Sequence, residues 1–213
     1  MTMHDLTLPG RLIRLEPLTL QHAEALAAAS TTDSSQFDDS LYKFTIVPQD
    51  IDEATQYIRT ALEWREAGTA IPFIVIRNSD NAVIGSTRFW NMERWDWPAD
   101  HERYDNPFPD VSEIGYTWYA PSTIRTGANT EAKYLMLAHA FEVWKVLRIS
   151  LHTDSRNIRS QNSMERIGFK REGIIRAHKI AVDGIPRDSV RFSMLRAEWH
   201  EAKQNLIARL YPD

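Results

Sequence analysis

The sequence predicts a mixed α/β fold in which a mostly antiparallel sheet is flanked by helices. Short stretches with the two-residue alternation of strands are interspersed with longer stretches that have helical spacing. Up to the last strand, the elements follow the order β-α-α-β-β-β-α-β-α-β-β, which indicates a mixed sheet. Hydrophobic residues make up 43% of the chain and charged residues 25%, as in globular proteins. We expect one domain over residues 1–213, with an insertion at residues 91–110.

The first half of the chain alternates short apolar runs with turn signals. Residues 11–17 alternate apolar and charged side chains and end in proline, which is typical of a short strand. The further predicted elements are a helix over 19–29 capped by Thr19, a polar turn-like stretch over 31–40, a helix from 48 that ends at Gly68, strands over 72–77 and 82–90, and a hairpin turn over 78–81.

The second half begins with a strand over 111–119 and a long apolar helix that continues to Trp144. Asn157 is placed to cap a later helix, and Gly168 to end it. Asp183 and Gly184 form the pair that favours a type I′ hairpin turn. The remaining predicted elements are a strand over 147–153, a hairpin made of 169–182 and 187–195, and a helix over 197–210.

Composition limits the function. The net charge of −4 argues against a nucleic-acid-binding surface, and no apolar run reaches the roughly 18–20 residues that a membrane span needs. The amino terminus shows no secretory signal. The absence of cysteine removes disulfides, thiolate metal sites and an acyl-cysteine intermediate. The histidines lack ligand spacing, so we expect no metal. These observations favour a cytoplasmic enzyme without nucleic-acid or membrane partners.

A strand, a tight turn and a helix follow one another around Gly127. Such a turn directs several backbone N–H groups at one spot and can bind an anion, and a glycine would let a phosphate approach. The nucleotide-binding patterns Gly-x-x-x-x-Gly-Lys-Ser/Thr and Gly-x-Gly-x-x-Gly are both absent, which disfavours a phosphotransferase. Taken alone, one glycine before a helix more often marks an ordinary helix start.

Two segments resemble motifs of the GNAT N-acetyltransferase superfamily. Residues 125–132, Arg-Thr-Gly-Ala-Asn-Thr-Glu-Ala, resemble its pyrophosphate-binding loop, and residues 157–169 resemble its next motif. Together they resemble the branch that acetylates ribosomal-protein N-termini, over residues 12–199. The sequence departs from the commoner loop pattern at Ile124 and Asn129.

The resemblance implies that acetyl-CoA is the co-substrate and that two neighbouring parallel strands part to accept its pantetheine arm. Those strands contain Trp118, Tyr119 and residues 147–153. Both aromatic side chains also suit plain core packing, which is compatible with binding through the backbone. The pyrophosphate would bind the N–H groups of Arg125, Thr126, Gly127, Ala128, Asn129 and Thr130.

Three polar residues are candidates for chemistry. Glu113 lies in the central strand and could accept the proton of an acceptor ammonium; alternatively, it is a glutamate on a solvated strand face or one paired with a nearby arginine. Ser160 could donate a proton to the departing thiolate, or it is a capping serine. Asn157 could bind the pantetheine arm, or serve only as a helix cap.

Residues 91–110 form a long polar stretch with six acids and two arginines. Acids attract cations, and interleaved aromatic faces can bind an ammonium. We therefore expect Asp96, Trp97 and Tyr104 to bind the acceptor, a cationic small-molecule amine or peptide N-terminus. The alternative is a solvated insertion, or a homodimer contact that buries the tryptophans.

The function indicated is N-acetyl transfer from acetyl-CoA to a primary amine, by direct attack in a ternary complex. A non-catalytic coenzyme A-binding module is the alternative, and it would bind coenzyme A without turnover. The sequence leaves the identity of the amine open.

Overall fold

A computed structural model describes residues 5–31 and 39–212, which form one eight-stranded sheet with helices packed against it. Most of the stretch predicted to be turn-like, residues 32–38, lies outside the described residues. The strands are β1 Leu8–Pro9, β2 Ile13–Pro17, β3 Ala70–Arg77, β4 Val83–Glu93, β5 Val111–Tyr119, β6 Arg148–Asp154, β7 Lys170–Ile180 and β8 Pro186–Leu195. The helices are α1 Ala23–Thr31, α2 Ile51–Glu66, α3 Ala128–Ala138, α4 Ile158–Ile167 and α5 Trp199–Leu210.

The strand order is β1-β2-β3-β4-β5-β6-β8-β7, and β5–β6 is the one parallel pair within the part of the chain that the structure describes. The predicted mixed, mostly antiparallel α/β fold is thereby confirmed. The predicted cap and stop of α4 are confirmed as well, since Asn157 accepts the Ser160 N–H and Gly168 ends α4 with a φ of 106°. Left-handed backbone of this kind is the usual role of glycine at a helix end.

Two local predictions are wrong, and the predicted helix through Trp144 is found with a change of geometry. Strand β4 continues to Glu93, three residues into the stretch predicted to be loop. The predicted helix through Trp144 changes from α to π geometry at His139. In the β7–β8 connection only Gly184 has positive φ, so the turn is not type I′. There the Asp183 carboxylate accepts the Ile185 N–H and pairs with Arg156, which stabilises a wider loop.

A bulge in β5 shapes the centre of the sheet. Gly115 pairs with Arg88 and Trp118 with Ser86, so two residues of β5, Tyr116 among them, face one residue of β4. Tyr116 has a φ of 52°, a conformation that is strained for an aromatic residue. Such a residue bends the strand that carries it.

The parallel strands β5 and β6 pair over only three residues. Val111, Ser112 and Glu113 pair with Arg148, Ile149 and Ser150, and beyond these residues β5 and β6 form no ladder. The strands therefore part towards their carboxyl ends, and the loop before α3 lies at that end of β5.

Glu131 fixes the first turn of α3 to the rest of the molecule. Its fully buried carboxylate accepts the backbone N–H groups of Arg11, Leu12 and Ile13 at 2.7–2.9 Å, and also the Tyr211 hydroxyl. Hydrogen bonds to a buried ionised group are among the stronger ones in proteins. The start of α3 is thus held by β2 and by the end of the chain.

Among the described residues, no helix combines the length and apolar content needed to cross a membrane.

Candidate functional site

The loop between β5 and α3 presents backbone donors at the positive end of a helix. Within the described residues, no hydrogen bond uses the N–H groups of Arg125, Gly127, Asn129 or Thr130. Arg125 has a φ of 63°, in the left-handed region that a non-glycine residue seldom occupies. Alternating backbone handedness of this kind turns successive N–H groups towards one point, where the helix dipole also favours an anion. This geometry fits a pyrophosphate.

Gly127 packs against the segment that leads into β2. A Cβ atom at this position would lie 2.6 Å from the end of the Leu12 side chain and 3.6 Å from that of Leu210. The predicted role of Gly127 in letting a phosphate approach stays a prediction. Its N–H group remains available to a ligand.

Trp118 and Tyr119 line the parted end of β5. Trp118 is buried and contacts the Tyr42 ring edge-on at 6.3 Å, while Tyr42 donates to the Tyr119 carbonyl at 2.9 Å. Burial raises the pKa of the Tyr119 phenol well above its usual range, so it stays neutral. Both side chains thus pack in the interior, as the alternative interpretation expected, and ligand binding through their backbone stays a prediction.

The amino terminus of α4 holds the other two polar candidates. Asn157 Oδ1 accepts the Ser160 N–H at 3.1 Å, so the helix-cap role of Asn157 is observed. Within the described residues, its amide nitrogen and the Ser160 hydroxyl make no hydrogen bond. Both groups are thus available to a ligand.

Glu113 lies where the parallel strands part, and it is paired. It is 6% exposed, and its Oε1 is 2.8 Å from Nδ1 of His152. The His152 ring in turn contacts the ring of His178 at 5.0 Å. The partner is a histidine, not the arginine that the sequence analysis considered, and the pair is well arranged to share a proton.

Two cations complete the surroundings of Glu113. Lys179 lies over the Trp90 ring, with Nζ 4.5 Å from its centre, and Trp90 pairs with Glu113 across β4 and β5. Arg187 pairs with Lys179 across the β7–β8 hairpin. Burial lowers the pKa of Lys179 and of Arg187, and nearby Glu113 partly opposes this for both.

Sequence reasoning missed these neighbours of Glu113. His152 is two residues beyond Ser150 and so shares the face of the sheet on which Glu113 lies, but this relation depends on the register of β5 and β6, which the sequence does not provide. His178 and Lys179 had none, because a bulge with Ala177 at a φ of 46° sets their direction. Such a bulge has no reliable sequence signature.

The loop at residues 94–110 is folded upon itself. Burial raises the pKa of Asp110, but hydrogen bonds from Trp95 and Trp97, together with the Arg103 guanidinium, hold it below its usual range. Arg103 also donates to the Lys145 carbonyl. One of the six acids is therefore an internal anchor of the loop.

The predicted acceptor-binding residues lie on this loop. The Trp97 ring stacks on His101 at 4.0 Å, and Tyr104 is 50% exposed. Within the described residues, no hydrogen bond, ion pair or ring contact joins Asp96, Trp97 or Tyr104 to Glu113. Their role in acceptor binding stays a prediction, as does the homodimer.

A second titratable group that sequence reasoning missed lies under the bulge of β5. Lys133 of α3 is 5% exposed, and its Nζ donates to the Thr117 hydroxyl at 2.8 Å. Thr117 also bonds Thr87 of β4 at 2.7 Å. Burial lowers the pKa of Lys133 to about 7.

The described residues contain no group of three or more potential metal ligands close enough to hold an ion.

Comparison with known proteins gives consistent matches. A family model described as an acetyltransferase (GNAT) domain matches residues 12–170. The crystal structure of a GCN5-related N-acetyltransferase from Brucella melitensis has a TM-score of 0.80 and 29% identity, covering 98% of this chain and 86% of that one. Mycobacterium smegmatis RimJ, solved in complex with CoA-disulfide, has a TM-score of 0.76 and covers 97% and 96%, but at 19% identity it shows the fold alone.

One curated relative shares part of the sequence. "Putative ribosomal N-acetyltransferase YdaF" from Bacillus subtilis (strain 168) is 35% identical over 92 residues, or 43% of this chain and 49% of the relative. The match spans about half the length of that protein.

Lys133 generates a prediction about pH and stability. Its pKa is about 7 in the folded protein and 10.5 for an unperturbed lysine, so between these values the unfolded chain binds more protons. The free energy of unfolding should therefore rise with pH across this window, by up to about 1.4 kcal/mol per pH unit. Lys133→Met should abolish that part of the rise in denaturant unfolding between about pH 7 and pH 9.

The control is Lys203→Met, because hydrogen bonding to Glu142 raises the pKa of that surface lysine. It should leave the rise in place. An unchanged pH dependence in Lys133→Met would show that Lys133 stays charged in the folded protein.

Proposed function

The chain belongs to the GNAT acetyltransferase family, and on that premise we propose that it transfers an acetyl group from acetyl-CoA to a primary amine. The observation that carries the proposal is the geometry of the parallel strands β5 and β6. They pair for only three residues and then separate, and the carboxyl end of β5 leads into a loop with four available N–H groups. The acceptor is a small-molecule amine or a peptide N-terminus. A peptide acceptor is supported by the names of relatives, which refer to ribosomal N-acetyltransferases, and these names also favour the cytoplasm as its location.

The chain's own residues account for binding. The loop over 125–130 would hold the pyrophosphate through backbone N–H groups. The pantetheine arm carries amides, which suit the backbone groups that β5 leaves without a partner beyond Glu113. Asn157 is placed to donate its free amide nitrogen to the same arm. Holding both reactants in line is itself a large part of catalysis.

Proton transfer is proposed for Glu113 and Ser160. Acetyl-CoA supplies the acetyl group as a reactive thioester. An acceptor ammonium first loses a proton to Glu113, and His152 at 2.8 Å can share it. The neutral amine can then attack directly, and the Ser160 hydroxyl is the candidate proton donor to the departing sulfur. A lone pair freed in this way is what turns an ammonium into a nucleophile.

The loop's role is tested by Asn129→Asp. This nearly isosteric change adds a negative charge to the first turn of α3. The charge interacts favourably with the helix dipole but repels a pyrophosphate. The Ser163 hydroxyl, 3.4 Å from Asn129 Nδ2, can reverse its hydrogen bond to serve the carboxylate. We expect the Kd for CoA, measured by calorimetry, to rise about tenfold or more without loss of thermal stability.

Asn205→Asp is the matched control, since it adds the same charge on the exposed surface of α5. It should leave the Kd for CoA unchanged. Equal CoA affinity in the wild type and in Asn129→Asp would remove the loop as the pyrophosphate site.

The role of Glu113 is tested by Glu113→Gln, which keeps the side-chain shape but cannot accept the proton. We expect kcat to fall roughly 10²–10⁴-fold, while the Kd for CoA stays the same. Thiol release with a responsive acceptor gives kcat. A kcat of Glu113→Gln within threefold of the wild type would return Glu113 to a purely structural role. If the wild-type protein binds CoA but turns over no acceptor, the non-catalytic alternative is favoured.

A further inference from the structure

Charged groups of both signs surround Glu113. Glu113 is within electrostatic range of Lys179 and Arg187, and the imidazoles of His152 and His178 lie beside it. Asp154 acts on Arg187 as well, but both of its carboxylate oxygens are bonded to Arg156, which also pairs with Asp183. The charges of these side chains balance in number, yet neither Lys179 nor Arg187 forms an ion pair with any described residue.

Lys179 and Arg187 both lack an acidic partner. Both are half-buried, yet neither forms an ion pair with any described residue. Arg148 and Arg103, by contrast, are paired with acids. Two fully buried cations without an acid have internal partners instead, since Arg88 lies against three aromatic rings and Lys133 donates to Thr117. Proteins rarely remove cations from water without a partner, so this arrangement points to one that binds from outside.

Both cations are held in position by contacts that leave their charge available. Arg187 Nε donates to the buried Ser189 hydroxyl at 2.9 Å, and its two terminal nitrogens make no hydrogen bond to the described residues. Lys179 Nζ contacts the face of the Trp90 ring. A guanidinium fixed through Nε presents the planar pair of N–H groups that matches a carboxylate. The buried Nδ1 of His178, next to Lys179 in the chain, also lacks a partner.

We propose that the acceptor is a small amine that also carries a carboxylate, which binds between Lys179 and Arg187 while the amine faces Glu113. This inference rests on the proposed acetyl transfer and specifies the substrate class of that same site. It differs from the sequence-based expectation of an acceptor recruited for its positive charge alone. The amine nitrogen loses its proton at Glu113, and the carboxylate supplies the direct acidic partner that Lys179 and Arg187 lack.

The test is a set of matched acceptors that differ only in charge: each amino acid and its carboxamide, with a diamine and a basic peptide for comparison. Thiol release from acetyl-CoA gives kcat/KM. The wild type should prefer the best carboxylate over its amide by roughly tenfold or more. Arg187→Gln and Lys179→Gln should each reduce that preference severalfold, with the Kd for CoA unchanged and turnover of the carboxylates reduced more than turnover of the amides.

Arg191→Gln is the matched control. Arg191 lies on the same strand and face as Arg187, but it has Glu172 as an acidic neighbour at 3.7 Å. Its loss should leave the preference intact. If Arg187→Gln does not fold, Lys179→Gln tests the same site without the Ser189 hydrogen bond. Preference for an amide, the diamine or the basic peptide, or a carboxylate preference that survives both substitutions, would overturn the proposal.

A second measurement separates this proposal from the proposed acetyl transfer. Protein saturated with CoA is titrated calorimetrically with the corresponding N-acetylated amino acids and N-acetylated carboxamides. Tighter binding of the acids, lost in Arg187→Gln and kept in Arg191→Gln, would support the anion site even if no acceptor turned over. Equal binding of acids and amides, or no binding of either, would reject it.

Discussion

The parting of β5 and β6 is the constraint on which the rest of the site depends. Two parallel strands that pair for only three residues leave a row of backbone groups without the partners that a continuous sheet would supply. Unpaired backbone groups are costly when buried, so such a gap persists only if the surrounding structure holds it open. The bulge at Tyr116 does this on one side, because it bends β5 while the β4 ladder resumes at Ser86. Glu113 lies where pairing stops, so the proposed base is at the narrow end of the gap.

The wide end of the gap is equally well fixed. The anion-binding turn belongs to the first residues of α3, and the buried Glu131 carboxylate ties that turn to three backbone N–H groups of the segment leading into β2. Leu12 of that segment packs against Gly127 within the turn. The loop is therefore organised before any ligand binds, which reduces the ordering cost of binding. Lys133, one turn further along α3, links the same helix to the bulge through Thr117.

The sequence could predict the parts of the molecule that depend on local chemistry. The cap at Asn157, the helix stop at Gly168 and the hairpin at residues 78–81 follow from single residues with strong preferences. The sequence could not predict features set by tertiary packing. The turn at Asp183 is widened by pairing with Arg156, and Gly127 packs on Leu12, far away in the chain. Glu113 could be identified as a candidate, but its partner His152 depends on strand register.

The most direct test is a crystal structure of the protein with CoA. The account predicts that the pyrophosphate accepts hydrogen bonds from backbone N–H groups within residues 125–130. It also predicts that the pantetheine arm lies between β5 and β6 beyond Glu113, with its thiol end towards that residue. CoA bound at another surface would contradict the account, and so would a complex in which β5 and β6 pair along their full length.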